Sequence, residues 1–174
     1  ALLPDLEWGL QAAIETARWS ATLPYPELDI DYEYVAIHLP DEYAIIEGRL
    51  VSSKGMDIPF REYDTHLIEE HVEHSTALHT HVKGRATAHV GPMARFSLNF
   101  DKLTVLSQQM ARDVGLEGQC SNPFKSIIVR SIEMLHAFDD ALRIVEEYEQ
   151  PDKPCVDVKV RAGTGYGCTE APRG

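Results

Sequence analysis

Apolar residues recur at helical spacing in two long stretches of the chain. In both stretches the repeat of three or four residues places the apolar side chains on one helical face. The first, Pro4 to about Ala21, contains Leu6, Leu10, Ala13, Ile14 and Ala17. The second, from Asn122-Pro123 to about Glu149, contains Phe124, Ile128, Ile132, Leu135, Phe138, Leu142 and Val145. Both begin with residues that suit a helix N-terminus. We predict core-facing helices here, the longest over Pro123–Glu149; an exposed docking helix is the alternative for the first.

A different pattern, with aromatic and β-branched residues in alternation, predicts a small antiparallel sheet between residues 33 and 52. Tyr32–Leu39 has this pattern and is expected to be a strand. Residues 43–46 and 49–52 flank Glu47-Gly48, where glycine can take the positive φ of a hairpin turn. Residues 86–90 are predicted to form a short strand. Residues 152–161 are predicted to form a strand or an extended connector.

Three shorter helices are predicted between the sheet and the last helix. One follows Pro59, with Phe60, Tyr63 and Leu67 on its apolar face and Val72 near its end. Two others cover residues 93–99 and 105–114, the latter capped by Thr104 and ended by Gly115. The predicted fold is α+β and mainly α: one domain over residues 1–174, a helical bundle with a small antiparallel sheet or hairpin.

Composition and charge narrow the classes of partner. The 174 residues are 44% hydrophobic and 25% charged, which is typical of a globular chain. The net charge of -12 would repel a polyphosphate, so a nucleic-acid partner is not expected. The chain has no apolar run long enough to span a membrane. Three widely spaced cysteines indicate reduced thiols and a cytoplasmic setting rather than a disulfide framework.

Histidines are concentrated between residues 66 and 89. Together with Glu69, Glu70 or Glu73 they could form a divalent metal site, although the order Glu-His-Val-Glu-His is not the HExxH of zinc hydrolases. The alternative is a set of polar, partly buried histidines bonded to backbone carbonyls or acidic neighbours. The histidines concerned are His66, His71, His74, His79, His81 and His89.

The last twelve residues, GTGYGCTEAPRG, combine four glycines with a rigid charged segment. Pro172 stiffens the chain between Glu170 and Arg173, so the guanidinium could be presented at a fixed point. A surface loop with an ordinary Arg173–Glu170 pair is the other interpretation of this spacing.

Two motifs carry a resemblance to a known family. Residues 169–174, TEAPRG, resemble the EAPRG segment of the large, catalytic subunit of [NiFe] hydrogenases. Residues 90–99, VGPMARFSLN, resemble the VGPLAR-x-x-x-N stretch of the same subunit. Residues 57–60, 70–75 and 122–124 are similar to the cytoplasmic, cofactor-coupled branch of that family. The segments occur in the family's order and extend over most of the chain.

The resemblance also implies what this chain lacks. The family holds nickel and iron with four cysteines in two CxxC-type pairs near the two ends of a longer subunit. Cys120, Cys155 and Cys168 match neither pair. The chain is therefore expected to be an interior fragment of a large subunit. The full-length subunit would carry the Ni–Fe centre, while the fragment alone is expected to bind no metal and to be inactive.

Residue roles follow from the resemblance as well. Arg173 would be the catalytic residue, polarising metal-bound hydrogen or donating hydrogen bonds to diatomic ligands of the iron. Glu170 would hold the turn or pair with Arg173, and Ala171 and Pro172 would form a rigid apolar wall beside the cofactor. No metal ligand is assigned. Arg95 is expected to bridge acidic partners inside the protein rather than to act in catalysis.

The functional prediction is a fragment of a hydrogenase that oxidises H2 reversibly to protons and electrons. Its expected partners are an iron–sulfur small subunit and an electron-transfer module. Exposed apolar patches, normally covered by the missing parts, would favour self-association. The alternative is an acidic, His-rich helical module that binds a divalent metal or a protein partner without catalysis. A third possibility is an interaction scaffold with no chemistry.

Overall fold

The computed structural model describes residues 2–85 and 88–170. The longer helices are α1 (Leu3–Ala21), α3 (Pro92–Asn99), α4 (Val105–Asp113) and α5 (Ser126–Glu146), and α2 (Tyr63–His66) is a single turn. The strands are β1 (Glu33–His38), β2 (Arg49–Ser52), β3 (Asp57–Ile58), β4 (Leu67–Glu70), β5 (His79–Val82) and β6 (Ala88–His89). Short 3₁₀ turns cover Phe60–Glu62, Phe100–Lys102 and Pro123–Lys125.

Helices α1 and α5 pack against each other and form the main helical contact of the fold. The buried face of α1 is made of small residues, Gly9, Ala13, Ala17 and Ser20. Small side chains let the helices approach closely, so that a Cβ on Gly9 would lie 2.3 Å from the ring of Phe138. Both predicted helices are confirmed, with α5 ending three residues early and beginning after a 3₁₀ turn. Asn122 accepts the Phe124 N–H at that turn, as its N-cap role requires.

The sheet has four strands in the order β3-β2-β1-β6. Strands β1, β2 and β3 are antiparallel, and β6 pairs with β1 in parallel. Helix α3 packs on both β1 and α5, so it joins the sheet to the helical part of the fold. The predicted α+β, mainly helical class is confirmed, although β6 makes the sheet mixed. Thr104 caps α4 by accepting the Ser107 N–H, and Gly115 follows that helix with φ 80°, as predicted.

Two predicted elements are wrong. Residues 43–46 form no strand, because β2 pairs with β1 while Tyr43 and Ala44 are buried in an irregular loop. The predicted helix after Pro59 shrinks to the single turn α2, and Leu67–Glu70 pairs with His79–Val82 in a hairpin. Long-range burial decides this, since Leu67 and Val82 lie opposite each other and both enter the sheet-side core. This core is a cluster of buried side chains that also includes Val35, Ile37 and Leu50.

The segment after α5 is largely exposed. Residues 152–161 are neither helix nor strand, and Val156, Val158 and Val160 are each more than 70% exposed, at 83%, 76% and 94%. Of the predicted strand 86–90, the structure describes residues 88–90, and residues 88–89 form β6. Among the described residues, no helix is both long and apolar enough to cross a membrane.

Candidate functional site

Glu170 is the described residue of the predicted site; Ala171, Pro172 and Arg173 lie outside the described residues. Three backbone and side-chain contacts fix Glu170. Its Oε2 accepts from Arg95 Nη1 at 3.2 Å, and its Oε1 accepts the Ile37 N–H at 3.0 Å. Its own N–H donates to the Ile45 carbonyl at 2.7 Å. The carboxylate thus pairs with Arg95, so the start of the EAPRG-like segment is held by α3, β1 and the loop before β2.

Arg95 bridges two carboxylates, which confirms its predicted structural role. It is only 3% exposed. Its Nε and Nη2 donate to Glu133 Oε1 and Oε2 at 2.8 and 2.9 Å, a two-point contact, while Nη1 faces Glu170. Burial alone would lower the pKa of Arg95, but the hydrogen bonds and charge of Glu133 and the charge of Glu170 raise it overall. The guanidinium is therefore permanently charged in this setting.

Asn99 ties the same helix to the same strand. It lies one turn after Arg95 in α3, and its Nδ2 donates to the Ile37 carbonyl at 3.0 Å. Because the Ile37 N–H donates to Glu170, both backbone groups of one β1 residue are bonded within this cluster. His38 Nδ1 lies 2.8 Å from Asn99 Oδ1 and helps to orient the amide. The arginine of the VGPMAR-x-x-x-N-like segment thus contacts the glutamate of the second motif, and the asparagine bonds the same β1 residue as that glutamate.

Tyr43 and Glu133 complete the cluster, and no sequence motif points to either residue. The Tyr43 hydroxyl donates to Glu133 Oε1 at 2.6 Å. Burial, and then the charge and hydrogen bond of Glu133, raise the pKa of Tyr43, so the hydroxyl stays a donor. Tyr43 lies in a segment that the pattern predicts as a strand, and Glu133 lies on α5 without any motif of its own.

A cavity of roughly 320 Å³ opens beside this cluster. It has a charged and polar side and an apolar side, and its lining residues are Tyr43, Ile45, Arg95, Arg130, Glu133, Met134, His136, Ala137 and Glu170. His136 packs edge-on to Tyr43, with ring centroids 5.0 Å apart, and its Nδ1 accepts the Thr104 N–H at 3.3 Å. Burial lowers the pKa of His136, which favours the neutral ring.

The histidine-rich segment does not form a metal centre in the described residues. Within 2–85 and 88–170, no group of three or more His, Cys, Asp or Glu side chains converges to hold a metal ion. His66 lies 3.8 Å from Glu62 and His81 lies 3.8 Å from Glu70, and His74 packs on His79. These contacts fit the interpretation of polar histidines with acidic neighbours, so the metal-binding alternative is not favoured.

The cysteines do not fit the thiolate set of a nickel–iron centre. Cys120 is buried, with its Sγ 3.5 Å from the Asn122 carbonyl, Cys168 is half-buried and Cys155 is exposed. Burial, and then the charge of Glu170, raise the pKa of Cys168, which disfavours the thiolate that a metal would need. The three thiols are free and belong to different surroundings.

Comparison with known proteins identifies a hydrogenase subunit as a relative. No protein-family model matches the chain. The alpha subunit of sulfhydrogenase 1 from Pyrococcus furiosus is 29% identical over 184 aligned positions, which include the whole of this chain. This chain spans 42% of the length of that relative. The predicted resemblance is therefore confirmed: the chain is similar, from end to end, to part of the alpha subunit of a hydrogenase.

Proposed function

We propose that this chain is an interior part of the catalytic large subunit of a [NiFe] hydrogenase, which oxidises H2 reversibly to protons and electrons. The Arg95–Glu170 ion pair carries the proposal. It joins the two hydrogenase-like motifs, although the paired residues are 75 positions apart in the sequence. A chance match of two short motifs gives no reason for their charged residues to meet in a buried cluster.

We propose that the metal ligands of such an enzyme come from parts of the subunit outside this chain. The separate surroundings of Cys120, Cys155 and Cys168 support this proposal. The chain alone is expected to bind neither metal at a hydrogenase site and to consume no hydrogen.

Within the whole subunit, we propose that the segment after Glu170 forms one wall of the active site. Arg173 is the proposed catalytic residue, because a guanidinium offers a permanent charge and a fixed fork of donors. Ala171 and Pro172 are proposed to line the cofactor with a rigid, apolar surface. Glu170 is the anchor of the segment, and its contacts with Arg95, Ile37 and Ile45 support this role.

The proposed partners are an iron–sulfur small subunit and an electron-transfer module, in the cytoplasm. Large apolar side chains on the described surface support contact with further protein, whether other parts of the subunit or its partners. Examples are Trp8, Ile46 and Val105, which are 74%, 74% and 85% exposed.

The complete subunit, co-expressed with its partners, tests the proposal. The gene should encode CxxC pairs on both sides of this segment, and the purified complex should contain nickel and iron and reduce a viologen dye under H2. A gene without those pairs, or a complex that loads the metals but takes up no hydrogen, would reject the proposal. The binding-module alternative instead predicts that this chain alone binds a divalent ion tightly, which a zinc titration with His71→Ala as the comparison measures.

A further inference from the structure

The guanidinium of Arg95 donates hydrogen bonds to two carboxylates, those of Glu133 and Glu170, and the two contacts differ in geometry. Glu133 takes Nε and Nη2 along one edge of the planar group, at 2.8 and 2.9 Å, and Nη1 reaches Glu170 at 3.2 Å. We infer that Glu133 is a positioning residue: by clamping Arg95 it holds Glu170, and with it the C-terminal segment, against the sheet. Its effect on turnover rests on the proposed function, whereas its effect on the segment does not.

The two-point contact defines the direction of the third donor. A guanidinium is planar, so fixing two of its nitrogens on one carboxylate fixes where the remaining one points. Glu133 is itself fixed, because Tyr43 donates to its Oε1 at 2.6 Å. With glutamine at position 133, one oxygen becomes an amide donor that repels a guanidinium N–H, and the clamp loses its charge. The clamp then holds the guanidinium less firmly, and its contact with Glu170 becomes weaker.

In the part of the chain that the structure describes, residues 168–170 make few other hydrogen bonds to the core. Residues 151–167 are exposed and contain neither helix nor strand. Cys168 packs on the sheet-side core, and Glu170 bonds the backbone groups of Ile37 and Ile45. The ion pair with Arg95 is the charged contact that we observe between this end of the described chain and its core. Weakening it should release Cys168 before the rest of the fold opens.

Thiol-labelling rates of the full 174-residue chain test this inference, because the three cysteines report different events. Cys168 reports release of the segment, exposed Cys155 sets the rate of an open thiol, and buried Cys120 reports opening of the helical core. Mass spectrometry of the cysteine peptides separates the three rates. The matched pair of variants is Glu133→Gln and Glu146→Gln, the latter at an exposed position on the same helix.

We expect Glu133→Gln to raise the labelling rate of Cys168 on the order of tenfold, the factor that follows from losing about one charge-assisted hydrogen bond. The rate at Cys120 should rise much less than the rate at Cys168, and Glu146→Gln should change neither rate. An unchanged Cys168 rate in Glu133→Gln overturns the inference. So does an equal rise at Cys120, since that would mean general loss of stability rather than release of the segment.

The assembled enzyme gives the second readout. Glu133→Gln should lower kcat with little change in KM for H2, because it displaces Arg173, the residue proposed to act on bound hydrogen. Tyr43→Phe should lower kcat in the same way but by less. A wild-type complex with no hydrogen uptake would reject the proposed function while leaving the Cys168 result intact. An active wild type whose Glu133→Gln variant keeps its kcat would reject the positioning role alone.

Discussion

Replacing Arg95 with methionine removes the cation that two carboxylates share. The side chain of Arg95 is 4% exposed, and those of Glu133 and Glu170 are 14% and 13% exposed. Water therefore cannot solvate the two carboxylates well once the guanidinium is gone. Removing one partner of a buried ion pair costs about 3–5 kcal/mol, because the remaining charge is left uncompensated. Three charge-assisted hydrogen bonds of about 1.5 kcal/mol each lead to a similar figure. Methionine keeps most of the apolar stem, so the loss reflects charge rather than volume.

Urea unfolding of the full chain measures this cost. A loss of about 4 kcal/mol with an m value of about 2 kcal/mol per molar lowers the urea midpoint by about 2 M. Arg18→Met, at an exposed position on α1, should shift it by less than about 0.3 M. Adding Glu133→Gln and Glu170→Gln to Arg95→Met should recover part of the loss, since the buried charges are then gone. A loss of less than about 1 kcal/mol in Arg95→Met would refute the reasoning about this cluster.

Three further measurements address the packing and the surface. The free energy of unfolding should fall as pH drops below about 6.5, because burial lowers the pKa of His136 beneath its unfolded value of 6.5 and the unfolded chain binds the proton first. His136→Asn should make the free energy of unfolding depend less on pH. An unchanged pH dependence in this variant would contradict the prediction. Gly9→Ala should destabilise the fold by about 1–2 kcal/mol, because the new Cβ meets the Phe138 ring. Adding Phe138→Leu to Gly9→Ala should restore stability. A stabilised Gly9→Ala variant would show that α1 and α5 do not approach as closely as described. The chain should self-associate in sedimentation experiments, less so in a Trp8→Gln, Trp19→Gln variant, since these side chains are 74% and 61% exposed; a monomer at high concentration would speak against it.

Local pattern predicted the long helices because periodicity and capping agree there. Asn122 and Thr104 accept the backbone N–H groups that their N-cap positions demand. The same reasoning failed after Pro59, where Leu67 fits a helical face and a strand equally well. Its partner in the hairpin, Val82, lies fifteen residues further on, and only the long-range pairing decides between the two. On α1, the pattern identifies Ala13 and Ala17 as part of the buried face but not Gly9 and Ser20, because these two residue types carry no apolar signal.

In the candidate site, too, local patterns identify some residues, whereas long-range packing alone brings in the others. Arg95 and Glu170 were found because each lies in a recognisable motif, and the bridging role of Arg95 followed from the expectation that an isolated arginine is more often structural than catalytic. Tyr43 and Glu133 could not be found, since neither lies in a motif and their contact joins positions 90 residues apart. A contact of this kind depends on the packing of α5 against the loop before β2. No local pattern in the sequence encodes that packing.

Arg173→Lys in the assembled enzyme is the most direct test of the central claim. The substitution keeps the positive charge and removes the fork of donors, so nickel and iron content should stay at the wild-type level. Hydrogen uptake should fall by a hundredfold or more, or roughly 3 kcal/mol, the cost of deleting one pre-organised electrostatic donor. Metal analysis and the uptake assay are made on the same preparation. Near-normal uptake with full metal content would contradict the account and remove Arg173 from the mechanism.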